Sequence, residues 1–333
     1  MPSPPFGVRF ILSPPPDAVA IVKYAEDRGA ECILTVEGRL ATDGVTPLAM
    51  FLAHTRRIRL GTAVLPLWTR HVVTIAQTFA TMDMHGPGRM IVGLGAWWEP
   101  LATRVGVKRV RPLRAMRETI EALRLLFKRD RPVTYHGEFV HLDGVFLDHA
   151  GDQSHEVKIF VGAGGPQMRR LAGAIADGVM LNGKQTPQIT RRAIEEIREG
   201  AASAGRRPED VVIVKPLTIA LTKNKRDAIE AERPALAQYI AQQPHIAPLM
   251  EADPALVRRL QETIRWPTTA AAIQEAAQLI PPEMIERMGC YGDEDEVRAR
   301  LRQFTALGAD VLVWDSSSPA PPRQILDFLA EGW

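Results

Sequence analysis

The sequence has little cysteine and lacks the spacings that bind metals or form disulfide scaffolds. Its 333 residues include only two cysteines, Cys32 and Cys290, and neither belongs to a C-x-x-C pair. The eight histidines show no H-E-x-x-H spacing. Because zinc sites and disulfide frameworks are built from such pairs, we expect neither a metal nor a disulfide scaffold.

Long apolar runs are also missing. No run reaches the length of about 18 residues that is typical of a membrane span. The first residues, MPSPPFGVRFILSPPPD, lack the basic stretch followed by a long apolar segment that marks a secretory signal. We therefore expect a cytoplasmic protein with no membrane partner.

Charge of either sign is nearly balanced. Lys and Arg total 41 and Asp and Glu total 39, which leaves a formal net charge of +2. The arginine-containing stretches 56–59 and 104–117 are short and mixed with apolar residues. A nucleic-acid partner would need a more concentrated basic patch, so we expect none.

What the chain does contain is a repeated alternation of short β-branched runs with helical patterns. Such alternation predicts a parallel sheet covered by helices, and eight repeats favour a (β/α)8 TIM barrel. The predicted strands are residues 6–12, 31–36, 58–66, 89–95, 157–162, 178–181, 211–221 and 309–314. A doubly wound open sheet would need a glycine loop after the first strand, where Ser13 is instead followed by three prolines.

Two segments interrupt this alternation. Residues 133–147 alternate apolar and polar side chains around two glycines, which predicts a small antiparallel hairpin. Residues 222–308 are rich in Ala, Gln, Glu and Arg with helical spacing. We interpret them as a helical insertion over roughly 223–290 followed by a crossover helix, all within one domain spanning 1–333.

In a barrel, ligand-binding residues collect in the loops after the strands. After the fifth strand, Gly162, Ala163, Gly164 and Gly165 precede a proline that suits a first helical turn. Small residues expose backbone N–H groups, and a helix N-terminus attracts anions, so this loop predicts a phosphate site. A plain tight turn is the alternative.

The loop after the fourth strand combines Gly95 and Ala96 with Trp97 and Trp98. Glycine lowers steric bulk beside a flat ring, and the tryptophans supply apolar surface with one N–H donor each. They either line a pocket or pack beneath the loop.

Two charged residues also follow strands. Glu37, after the second strand, stands where a general acid or base would work, or it forms an ion pair with an arginine. Lys184, after the sixth strand, suits a substrate anion or the cofactor tail, or it is simply solvated.

Six stretches, taken in order, resemble one family, the bacterial-luciferase-like flavin oxidoreductases. The resemblance is closest to the coenzyme F420-dependent branch, which includes methylenetetrahydromethanopterin reductase. The stretches cover nearly the whole chain and are RRIRLGTAVLPLWTRH with IAQTFATMD, GRMIVGLGAWWEP, RPLRAMRETIEALRLLF, VTYHGEFVHL, VGAGGPQMRRLAGAIADGVMLN and GDEDEVRARLRQFTALGADVLV.

The resemblance implies a deazaflavin or flavin ring lying across the strand ends. It implies a non-proline cis peptide in a bulge at Thr62, Ala63 and Val64, which would support the ring. It also implies contacts to the ring and ribityl chain from Gly95, Ala96 and Trp97, and to the cofactor phosphate from Ala163, Gly164 and Gly165.

The chain departs from the sugar-phosphate dehydrogenases of that branch. Those enzymes carry Asp-His after the second strand, where this chain has Glu37 and Gly38. Lys184 and Arg287 fall at two of their three substrate-phosphate positions, and Glu275 falls at the third. Glucose 6-phosphate is therefore disfavoured, and the pattern is closer to the reductase group.

These observations predict a hydride transfer between coenzyme F420 and a small organic substrate, with Glu37 as acid or base and Trp98 beside the reacting face. An FMN-dependent monooxygenase is the alternative with the same fold. A barrel that binds cofactor without turnover is a third possibility. By family analogy we expect a homodimer.

Overall fold

The structure of the protein is a computed structural model that describes residues 4–11, 14–149, 153–316 and 321–333. In chain order its strands are β1 (Phe6–Phe10), β2 (Cys32–Thr35), β3 (Arg59–Thr62), β4 (Leu65–Pro66), β5 (Met90–Gly95), β6 (Val133–His136), β7 (His141–Val145), β8 (Lys158–Gly162), β9 (Gly178–Met180), β10 (Val212–Leu217), β11 (Ile219–Leu221), β12 (Cys290–Gly292) and β13 (Val311–Asp315).

The helices surround these strands. In chain order they are α1 (Ala18–Asp27), α2 (Thr46–His54), α3 (Val72–His85), α4 (Leu101–Arg104), α5 (Pro112–Lys128), α6 (Pro166–Ile175), α7 (Pro187–Ser203), α8 (Lys225–Gln242), α9 (Pro254–Thr263), α10 (Ala270–Ala277), α11 (Pro282–Glu286), α12 (Glu294–Ala306) and α13 (Pro322–Glu331). Two short 3₁₀ helices span Pro208–Asp210 and Pro244–Met250.

Eight parallel strands close into a barrel, which confirms the predicted (β/α)8 fold. Around the barrel the order is β1, β2, β3, β5, β8, β9, β10 and β13, and β13 pairs again with β1. Since all eight run in one direction, their carboxyl ends meet at a single rim.

Two predicted strands are each broken into two pieces. The third strand stops at Thr62 and resumes as β4, and the seventh stops at Leu217 and resumes as β11. At the second break, the carbonyl of Thr218 accepts a hydrogen bond from Cys290 N, so β12 pairs with β11 outside the barrel. Breaks of this kind depend on neighbouring strands, which local propensity does not report.

The predicted hairpin is present as the antiparallel pair β6 and β7, with a register shift near Tyr135. It is tied to the barrel by Glu118 of α5. The buried Glu118 carboxylate accepts the backbone N–H groups of Glu138, Phe139 and Val140 at 3.0, 2.7 and 3.2 Å. One side chain therefore satisfies three donors at the hairpin turn.

The barrel strands alternate between two apolar environments. Phe6, Val8 and Phe10 of β1 face the helices and join the large core between barrel and helices. Cys32 and Leu34 of β2 face the barrel interior with residues of the other strands. This period of two is the normal consequence of side chains that point to opposite faces of a strand.

Helices α8 to α11 lie between β11 and β12 and bury an apolar cluster of their own, which includes Leu236, Ile240, Met250, Leu260 and Ile280. Ala220 of β11 and Tyr291 of β12 belong to the same cluster. The helices are therefore anchored on the extensions of the strands beyond the barrel.

None of the helices in the described ranges combines the length and apolar character that crossing a bilayer requires. Within those ranges, no group of three or more His, Cys, Asp or Glu side chains is arranged to hold a metal ion.

Candidate active site

The break between β3 and β4 places a non-proline cis peptide between Ala63 and Val64. This is where the resemblance implied one. Hydrogen bonds to the strands on either side, β2 and β5, hold this segment. Towards β2, the Ala63 amide donates to the carbonyl of Thr35 at 2.7 Å. The Thr62 hydroxyl lies 2.9 Å from the Gly93 carbonyl and accepts from the Gly93 amide at 3.0 Å.

Val64 follows this bond and packs against the ends of β5 and β8, the next two strands around the barrel. A Cβ atom added to Gly95 would lie 2.3 Å from Val64 Cγ2, and one added to Gly162 would lie 3.0 Å from Val64 Cγ1. The glycines at the ends of β5 and β8 therefore leave room for Val64 itself. The sequence had suggested only that such glycines leave room for a ligand.

The loop after β8 is open in the way the phosphate prediction requires. Ala163 is buried, whereas Gly164 and Gly165 are exposed, and a Cβ atom at either glycine would meet nothing within 4 Å. Helix α6 begins directly after Gly165 with no side chain capping its N-terminus. The first backbone N–H groups of α6 are therefore free for an anion.

A buried ion pair supports this loop from beneath. Arg169 of α6 binds Glu196 of α7 at 2.8 Å and also donates to the carbonyl of Gly164. Both charged side chains are about 5% exposed. The guanidinium thereby fixes the direction of the loop's peptide groups.

The two tryptophans of the β5 loop occupy different environments. Trp98 is buried, with 6% of its surface exposed. Trp97 is half-buried with a φ of 57°, and its indole N–H is buried with no partner in the described part of the chain. The carbonyl of Ala96 accepts from Trp68 Nε1 at 3.0 Å and from Arg109 Nε at 2.7 Å. Trp97 thus offers an unused donor at the rim.

Glu37 forms the ion pair that was one of its two predicted roles. Its carboxylate binds Arg70 at 2.6 Å and accepts the Gly44 amide at 3.0 Å. Arg70 also pairs with Asp43. With both oxygens engaged and the side chain 17% exposed, Glu37 is held firmly at the end of β2. Its role as acid or base stays a prediction.

Lys184, predicted to bind substrate, already has an anionic partner. Its ammonium group binds Glu232 of α8 at 2.6 Å and the Thr218 hydroxyl at 2.8 Å. Arg287, predicted for the same task, lies just after α11 and is exposed. In the described residues no hydrogen bond or ion pair joins Arg287 to Lys184, Glu232 or Thr218.

Sequence reasoning missed several polar residues at the rim. Arg9 and Asp315, 306 positions apart, form a two-bond ion pair at 2.6 and 2.9 Å. The Asn182 side chain donates to the Tyr239 hydroxyl at 2.7 Å. A charged residue inside each of the apolar runs FGVRF and VLVWD was the available signal for Arg9 and Asp315. No local pattern pointed to Tyr239.

A buried lysine fixes the loop that carries Asn182. Lys215 of β10 is fully buried and donates to the carbonyls of Asn182 and Gly183 at 2.8 and 3.2 Å. Burial, partly offset by the charge of Asp315, lowers the pKa of Lys215 to about 7. This residue positions the end of β9.

The rim divides into two arcs. The glycine arc consists of the ends of the neighbouring strands β3, β5 and β8, with residues 62–64, 95–97 and 162–165. The charged arc consists of the ends of β9, β10, β13, β1 and β2, with Arg9, Arg39, Asn182, Lys184 and Asp315. The residues that the resemblance assigned to the cofactor all lie on the glycine arc, and Val64 packs against the ends of its other two strands, β5 and β8.

Comparison with known proteins gives a consistent result. Residues 7–311 match the family model described as luciferase-like monooxygenase. The chain is 27% identical over 322 residues to 5,10-methylenetetrahydromethanopterin reductase of Methanolobus tindarius, covering 96% of this chain and 95% of that protein. It is 30% identical over 250 residues to F420-dependent glucose-6-phosphate dehydrogenase of Nakamurella multipartita, covering 72% and 70%.

Among solved structures, the coenzyme F420-dependent tetrahydromethanopterin reductase of Methanopyrus kandleri superposes with a TM-score of 0.85 at 24% identity. The superposition covers 99% of this chain and 98% of that one. At this identity the superposition establishes the shared fold. The family model covers most of the chain, and the chain therefore belongs to the luciferase-like monooxygenase family of oxidoreductases.

Proposed function

We propose that the protein is a coenzyme F420-dependent oxidoreductase that transfers hydride between the deazaflavin and a small organic substrate. The observation that carries the proposal is the glycine arc. There Val64 packs against the end of β8 at Gly162, and Gly164 and Gly165, which follow in the same loop, are exposed with open space beside them. Two relatives that match 94% and 72% of this chain are named as F420-dependent enzymes, which supports the choice of cofactor.

The residues of the glycine arc fit such a cofactor. Thr62, Ala63 and Val64 would support the ring, and Gly95, Ala96 and Trp97 would contact the ring and the ribityl chain. The loop 162–165 would hold the phosphate on free backbone donors. The unpartnered indole N–H of Trp97 is a further donor for a bound group. When bound, coenzyme F420 supplies the hydride, and the protein supplies orientation and electrostatics.

Two residues of the chain act on the substrate in this proposal. Glu37 holds or releases a proton at its carboxylate oxygen, in a position fixed by Arg70 and Gly44. The buried side chain of Trp98, in the loop after β5, helps to exclude water from the reacting face. Holding the reacting groups in contact accounts for much of the acceleration in reactions of this kind.

The test is a titration of the cofactor-free protein with coenzyme F420 and with FMN, side by side. We expect F420 to bind more tightly. Far tighter binding of FMN would overturn the proposal in favour of a flavin monooxygenase.

A matched pair of variants locates the phosphate. Gly164→Ala and Gly164→Asp both add atoms into open space, but only the second adds a negative charge. We expect Gly164→Asp to weaken F420 binding about 10-fold or more, since a like charge beside a phosphate is repulsive. Gly164→Ala should bind nearly as the unaltered protein does. Equal binding by both variants would remove the phosphate from this loop.

We also propose a homodimer, on the resemblance alone. Light scattering coupled to gel filtration tests it, and a monomeric mass would end it.

A further inference from the structure

The charged arc of the rim is the side left for the substrate if the cofactor occupies the glycine arc. Three of its side chains are cations, namely Arg9, Arg39 and Lys184. Tyr239 interacts electrostatically with both Arg9 and Arg39, so these two cations lie on the same part of the arc. What distinguishes these cations is whether the protein already neutralises them.

Two of the three are neutralised internally. Arg9 makes both of its close contacts with Asp315, which is 1% exposed. Lys184 pairs with Glu232 at 2.6 Å. Neither charge is available for a ligand without breaking a short ion pair that is partly or fully buried.

Arg39 has no such partner. Its guanidinium makes no hydrogen bond or ion pair with any residue in the described ranges, although the side chain is half-buried. Burial lowers the pKa of Arg39, because desolvation disfavours its charged form. A charge that is partly removed from water and left unpaired costs free energy. Such a cost is recovered when an anion binds.

Tyr239 of α8 lies near enough to Arg39 for the two groups to interact electrostatically. Its hydroxyl oxygen accepts from Asn182 Nδ2 at 2.7 Å, and in the described part of the chain its own O–H has no acceptor. A guanidinium and a free hydroxyl donor together match an oxyanion, which accepts several charge-assisted hydrogen bonds.

We propose that Arg39 and the Tyr239 hydroxyl form an oxyanion-binding subsite, so that the substrate carries a carboxylate or a phosphate monoester. The proposal rests on the proposed function in assigning this anion to the substrate. It differs from the expectation drawn from the resemblance, which placed the substrate anion on Lys184 and Arg287. In this structure Lys184 instead links the loop after β9 to α8 through its ion pair with Glu232.

The first experiment measures anion binding directly by isothermal titration of the full chain without cofactor. The probes are succinate, inorganic phosphate and the neutral amide succinamide. We expect at least one anion to bind more tightly than succinamide. The better of the two anions indicates which source of the oxyanion the subsite prefers.

Variants assign the binding to named groups. Arg39→Gln should weaken anion binding about 10- to 100-fold, and Tyr239→Phe about 3- to 10-fold, from the usual strengths of charged and neutral hydrogen bonds. Arg302→Gln, which alters an exposed arginine of α12, is the control and should bind as the unaltered protein does. Equal anion binding by Arg39→Gln and the control overturns the proposal. So does a wild-type protein that prefers neither anion to succinamide.

Titration with F420 separates this inference from the proposed function. If Arg39 serves the substrate, Arg39→Gln should bind F420 within about 2-fold of the unaltered protein, a change too small for a lost charged hydrogen bond. Ten-fold weaker F420 binding would show that Arg39 holds the cofactor instead and would overturn the inference. If the unaltered protein fails to bind F420, the proposed function fails, and the anion titration still decides the role of Arg39.

Discussion

The contact between Val64 and the glycines of β5 and β8 makes a quantitative prediction. In Gly95→Ala the new Cβ atom would lie 2.3 Å from Val64 Cγ2. Carbon atoms in contact prefer about 3.5–4.0 Å, so Val64 must move by about 1.2 Å or more. Its branched side chain has few alternative rotamers, and Cγ1 is already close to Gly162. The displacement is therefore expected to reach the backbone at the rim.

Overpacking of this size typically destabilises by about 1–3 kcal/mol. A Gly-to-Ala change also stabilises by about 0.4–1 kcal/mol, because it restricts the unfolded chain. In a double-mutant cycle, Gly95→Ala is made both in the unaltered protein and in Val64→Ala. The effect on the unfolded chain is the same in the two backgrounds and cancels in their difference. Since Val64→Ala deletes both Cγ atoms, the double variant lacks the clash, and we expect a coupling free energy of about 1–3 kcal/mol.

The assay is urea denaturation of the unaltered protein, both single variants and the double variant, with the free energy of unfolding compared at constant slope. Gly164→Ala is the control, because its Cβ atom meets nothing within 4 Å and should not destabilise. F420 titration of the same proteins gives a second readout, and Gly95→Ala should bind more weakly than Gly164→Ala. Free energies that add to within about 0.5 kcal/mol would refute the contact.

Three further predictions concern single charged groups. Glu37→Gln keeps the shape but removes the proton-transfer group, so hydride transfer should slow by about 10²- to 10⁴-fold with F420 affinity nearly unchanged. Stopped-flow rates test this, and a normal rate would leave Glu37 with the Arg70 ion pair alone. Burial by itself would raise the pKa of Glu118, but the N–H groups of Phe139 and Glu138 and the Arg114 guanidinium lower it from 4.5 to about 2. Its stabilising effect is therefore present above pH 4.5 and is lost as the pH falls towards 2, and Glu118→Gln should lack this acid sensitivity in denaturation curves. Lys215 has a pKa of about 7 against 10.5 in the unfolded chain, so the unfolded state binds more protons between these values. The contribution of Lys215 to the free energy of unfolding should therefore rise between pH 7 and 10.5. If the free energy of unfolding of Lys215→Met rose as steeply with pH, this assignment would be contradicted.

The sequence determined the order and type of the elements to a large extent. Helix α5 spans Pro112–Lys128, where a proline suits the first turn and apolar residues recur on one face, and both features are local to the sequence. With β4 and β11 counted as continuations of β3 and β10, the barrel strands lie within one or two residues of the predicted bounds, mostly inside them, although β13 runs one residue beyond its predicted end to Asp315. Local propensity and period carry this information without reference to any distant residue.

The open loop at 162–165 was also evident from the sequence, since small residues before a helix-initiating proline act through the local backbone. The break in the third strand was expected only from the family resemblance. Why Gly95 and Gly162 are glycines was not evident, because Val64 reaches them only after the barrel has closed.

Only the tertiary structure decided how the charges pair. Glu37 finds Arg70, Lys184 finds Glu232 and Arg9 finds Asp315 across 33, 48 and 306 positions of sequence. Glu37, Lys184, Arg9 and Asp315 are visible in the sequence as charges in or just after predicted strands, but their partners are set by which elements the closed barrel brings together. Barrel closure pairs Arg9 and Lys184 with internal carboxylates, whereas Arg39 has no carboxylate partner among the residues that the structure describes. This difference cannot be predicted before the fold is known.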